Sequence, residues 1–128
     1  MKANELMIGD LVLYKNKPII VWEIDEYYDR INTEPDGYNA ITCVEIFEVA
    51  PIPTTPEILE KIGFWREHNV GYVMEEGEYE LIYDLFDHKL RILKNREQIL
   101  NLEYWDEMCV HELQHAMRLC NIEKKIEL

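Results

Sequence analysis

Two histidines four residues apart, with a glutamate between them, carry the most explicit chemistry in this chain. They form His111-Glu112-Leu113-Gln114-His115. On a helix, this H-E-x-x-H spacing puts two imidazoles one turn apart, where neutral ring nitrogens can share a zinc ion. Glu112 would be the catalytic general base, taking a proton from the metal-bound water while the metal polarises a scissile carbonyl. On this reading zinc is the cofactor, His111 and His115 are the metal ligands, and the protein is a minimal zinc-dependent hydrolase.

Over about ten residues, with Val110, Leu113 and Ala116 in the flanks, the string resembles the helix of zinc proteases. It departs from them at the third ligand that a catalytic zinc needs. Where the longer metzincin pattern has a glycine and a third histidine, this chain has Arg118 and Asn121. Glu123 and Glu127 fall in a short tail, and the spacing does not support His68 or His88 as a ligand.

The positioning helix is expected from about Tyr104 to Asn121. At roughly 100° per residue, Cys109, Leu113, Ala116 and Cys120 fall within about 60° of one another and define a buried stripe. Val110 and Met117 flank it on one side and Trp105 on the other. His111 and His115 point away from that stripe with Gln114 and Arg118, so they are expected on a solvated face. This placement ranks the hydrolase below a reading without catalysis, in which neither a metal nor a cofactor is bound.

A second constellation is "EIDEYYDR" (residues 23–30). Trp22, Tyr27, Tyr28 and Tyr38 cluster around the carboxylates of Asp25 and Glu26, and aromatic rings beside carboxylates can hold a basic or proline-rich peptide. These six residues are the candidate protein-binding site. "EEGEYE" (residues 75–80) lacks the spaced oxygen ligands of a calcium loop and reads as a solvated turn.

Composition narrows the classes. The chain has 128 residues with 26 acidic against 13 basic, a net charge of −13. A surface this negative repels phosphate backbones, and the densest basic cluster, "RILKNR" (residues 91–96), forms no stripe. Nucleic acid is therefore not expected as a partner. An acidic mimic of nucleic acid, inhibiting a DNA-binding protein, is a third reading. The three cysteines form no C-x-x-C pair, and Cys109 and Cys120 would lie about 16 Å apart along a helix, too far to bridge. Unbridged thiols suggest a reducing, cytoplasmic compartment. No apolar run is long enough for a signal peptide or a membrane span.

The expected fold class is α+β, a single domain over 1–128 with a β-rich part at 1–50 and a helix–meander–helix part at 51–128. "LVLYKNKPIIVWEID" (residues 11–25) reads as two strands around a turn at Lys15–Lys17, and residues 40–49 as another. Pro35-Asp36-Gly37 marks a turn. Together they suggest a small bent sheet or SH3-like barrel. Thr55 caps a helix with Pro56 at its first position, Gly63 ends it, and Phe64 closes over the last turn. "VGYVM", "YELIYDL" and "KLRILK" form a three-stranded antiparallel meander.

The whole chain resembles a family of small proteins from gut anaerobes and their phages or mobile elements. The resemblance rests on "MKANELMIGDLVLYKNKPIIV", "EVAPIPTTPEILEKIGF" and "VHELQHAMRLCNIEKKIEL". Val110, His111, Leu113 and Gln114 match the family's closing motif, in which asparagine is more usual at the place of His115. The resemblance implies a short β-unit, a Pro-rich link into a helix and a closing helix, and brings with it no activity, cofactor or partner. The reading that follows is a non-enzymatic cytoplasmic protein, phage or mobile-element related. It acts through contacts with another protein or as a homo-oligomer.

Overall fold

The computed structural model describes residues 1–33, 42–84, 86–104 and 106–128. The turn expected at Pro35-Asp36-Gly37, and the residues Tyr38 and Trp105, lie outside them. The chain divides into two compact units: Met1–Ile52 with Cys109–His115, and Pro53–Met108 with Ala116–Leu128. The architecture is α+β, with two antiparallel sheets of five strands each. Neither sheet closes into a barrel.

In the first unit, β1 (Leu11–Tyr14), β2 (Lys17–Asp25), β3 (Arg30–Thr33), β4 (Cys43–Glu45) and β5 (Val49–Ala50) run in the order β4-β3-β2-β1-β5. Lys15 and Asn16 both take positive φ in the two-residue β1–β2 turn, whose backbone twist matches that of the flanking strands. β2 serves two neighbours. Residues from Lys17 to Ile20 pair with β1, those from Val21 to Asp25 with β3, and a bulge at Trp22 separates the two registers. That bulge bends the strand. Val12, Val21, Ile31 and Val44 point inward by strand alternation and are joined by Ala3, Leu6, Ile46 and Val49 in a buried cluster.

In the second unit, α1 (Pro56–Ile62) has the ends its sequence signals. Thr55 Oγ1 accepts a hydrogen bond from the Ile58 N–H, Pro56 opens the first turn, and Gly63 stops the helix at φ +121°. The buried Phe64 donates its N–H to the Leu59 carbonyl, folding back over the last turn. Next comes a meander of five strands rather than three: β6 (Trp65–Glu67), β7 (Gly71–Glu76), β8 (Tyr79–Asp84), β9 (Lys89–Lys94) and β10 (Glu97–Glu103). The two additional strands are the sheet edges. β6 is exposed throughout and β10 carries a bulge and is mostly exposed, so neither has the buried apolar positions that mark the inner three.

The last helix, α2, spans Val110–Leu119 and is shorter than expected. Beyond it, Ile122 and Ile126 are buried, and Lys124 Nζ donates to the Ile62 carbonyl at the end of α1 while pairing with Glu76. Among the described residues no helix is long and apolar enough to cross a membrane.

Candidate functional site

The H-E-x-x-H residues lie in the first two turns of α2, in the part of the helix that belongs to the first unit. Their surroundings correct the expectation of a solvated face. His111 is buried, Gln114 and His115 are half-buried, and the exposed member of the helix is Leu119, at 63%. Val110, Leu113, Ala116 and Met117 are buried as the apolar stripe requires, but the polar side is covered too. The covering element is the segment Met7–Leu11 leading into β1.

Three contacts make that junction. The Gln114 side chain accepts from the Leu11 N–H at 2.8 Å and donates to the Gly9 carbonyl at 3.1 Å, in effect replacing a strand neighbour. Between them, Asp10 is fully buried, and its Oδ2 accepts from the Met7 N–H at 2.8 Å and lies 2.6 Å from His115 Nε2. Asp10 is the residue that the sequence reading missed. A single aspartate ahead of a strand carries no local signal, and only the return of the chain 105 positions later gives it a partner.

Glu112 has a structural task. Its Oε1 accepts from the Cys109 N–H at 2.9 Å, the return half of a capping box at the start of α2. One oxygen of the candidate general base is thus engaged by the helix's own first turn. His111 and His115 meet edge to face, with ring centroids 5.7 Å apart. Burial holds the His111 imidazole below the usual histidine range, against the opposing pull of the Glu112 and Asp10 carboxylates. Its Nδ1 is buried without a hydrogen-bond partner. Among the described residues, no three or more His, Cys, Asp or Glu side chains gather as a metal cage would. The chemistry of this cluster is that of a polar junction between helix and strand.

The aromatic–acidic constellation is distributed differently from its sequence order. Asp25 Oδ1 accepts from both the Tyr27 and Tyr28 N–H groups at 3.1 Å, so this carboxylate shapes the β2–β3 turn. Tyr27 and Tyr28 are 87% and 60% exposed and meet edge to face at 4.8 Å. Glu26 is exposed beside them. Arg30 places its guanidinium 5.2 Å above the Tyr28 ring, and its Nε donates to Glu45 Oε1 at 2.6 Å. Trp22, 42% exposed, lies in the β2 bulge. It follows Val21, whose carbonyl accepts from Gly9, and so lies along the backbone from the exposed Met7 and Ile8.

Comparison with protein-family models, with curated proteins and with solved structures finds no match for this chain.

Proposed function

We propose that this protein is a non-enzymatic binding module of the cytoplasm, phage or mobile-element related, that recognises a positively charged segment of a protein partner through the Glu26–Tyr28 turn. The observation that carries this reading is the pair of exposed tyrosines on a turn held in place by Asp25. Large aromatic side chains supply much of the affinity at protein interfaces. A turn already ordered before binding loses little entropy when it docks. The charge of −13 supports a basic partner by steering and by selecting against acidic ones. The hydrolase reading has less support, because Glu112 caps its own helix and His115 is engaged with Asp10.

The test places a photo-crosslinking amino acid at Tyr27 in the producing cell. One dominant adduct is expected, with the crosslinked segment of the partner rich in Lys or Arg, and Glu26→Lys should abolish it. An adduct pattern identical to that from a probe at Gln98, on the edge strand β10, would overturn the proposal. So would an adduct between two copies of this acidic chain.

A further inference from the structure

The antiparallel register puts Asp25 opposite Arg30 and Arg30 opposite Glu45. Beyond that row, at the same end of the sheet, lie two connections: the turn from Glu26 to Asp29 and the 3-10 turn Ile46–Glu48. The Ile46 N–H donates to the Asp29 carbonyl at 3.0 Å, tying the two together. Ile46 is buried, which leaves Phe47 facing outward with 81% of its surface exposed. Glu48 beside it is exposed as well. Glu26 and Glu48 make no hydrogen bond or ion pair among the described residues, whereas the one arginine of this row is already shared between Glu45 and Tyr28.

We infer that the binding surface extends from Glu26, Tyr27 and Tyr28 across to Phe47 and Glu48, and that it takes a partner segment in which arginines alternate with apolar side chains. The inference rests on the binding role proposed above and adds the second turn and the alternation. Three exposed rings on two tied turns, with Glu26 next to Tyr27 and Glu48 next to Phe47 in the chain, call for both kinds of side chain from a partner. An all-basic segment leaves the rings wet, and an all-apolar one leaves the carboxylates unanswered. Arginine rather than lysine follows from Arg30, which shows the local geometry: a guanidinium placed over a tyrosine ring and donating to a glutamate.

Two synthetic peptides of equal charge, one alternating Arg with Leu and the other Arg with Ser, test this against the isotopically labelled protein by NMR titration. The Arg–Leu peptide is expected to bind about tenfold more tightly, a difference of about 1.4 kcal/mol. It should shift the amides of Glu26–Tyr28 and of Ile46–Glu48 together. Phe47→Ala and Tyr27→Ala, both at exposed side chains, should each remove most of that preference. If Tyr27→Ala weakens binding while Phe47→Ala does not, the extended surface is wrong and the binding role stands. If neither matters, or the two peptides bind alike without localised shifts, both fail.

Discussion

Glu112 stands at the third position of α2, where its carboxylate reaches back to the Cys109 N–H. Glu112→Gln keeps an acceptor there and is expected to leave the melting temperature nearly unchanged. Glu112→Ala loses the cap and should cost about 1 kcal/mol in chemical denaturation. Equal losses in the two variants would show that charge, not the hydrogen bond, is what matters. His111 sets a different expectation, through its proton. Its imidazole is held low by burial, with Glu112, Asp10 and Glu5 pulling the other way and His115 adding to the depression. As pH falls below about 6.5, the unfolded chain takes up the proton before the folded one does, so stability drops toward the lowered value. Above the ordinary histidine range the contribution is fully present. Replacing this histidine by leucine removes the titration, so the stability of His111→Leu relative to the parent should rise steadily between pH 7.5 and 5.5. A pH-independent difference would refute the assignment.

At the scale of elements, the meander depends on one residue without a side chain. Gly71 opens β7 at φ +120°, and a Cβ there would collide with the Tyr83 carbonyl oxygen of β8. Gly71→Ala combines a conformation that L side chains rarely adopt with a backbone clash, for an expected cost of about 3 kcal/mol. Gly77 also has positive φ, but open space surrounds it, so Gly77→Ala should be milder. Denaturant midpoints that fall equally for both would sink the argument from the collision. The elements also show where sequence patterns work. α1 was legible to the residue because Thr55, Pro56 and Gly63 act on their own backbone. The inner strands β7, β8 and β9 were legible because each carries an apolar set that is buried: Tyr72–Met74, Leu81–Tyr83, and Leu90 with Ile92. The edge strands β6 and β10 were not, since β6 is exposed at every position and β10 is mostly exposed and interrupted by a bulge, so no buried face imposes a period on their residues.

For the molecule as a whole, an excess of 13 negative charges opposes compaction. Raising NaCl to about 0.5 M shortens the screening length to a few ångströms and should raise the melting temperature by about 2–4 °C. No rise, or a fall, would mean that attractive pairs such as Lys124–Glu76 outweigh the repulsion. By itself the sequence determined the α+β class, the capped helix α1, the first hairpin and the acidity, because these depend on residues near one another or on the sum of all charges. It also singled out Tyr27 and Tyr28. Tertiary structure alone decided which groups the histidines meet and which turns lie together. His115 meets Asp10 across 105 positions, Gln114 holds the backbone on either side of that aspartate, and the turn that carries Phe47 is tied to Asp29 by the Ile46 N–H. A helical wheel sorts side chains by polarity, and a polar face reads as wet. When the opposing segment brings a carboxylate and a free backbone carbonyl and amide, the same face is partly covered.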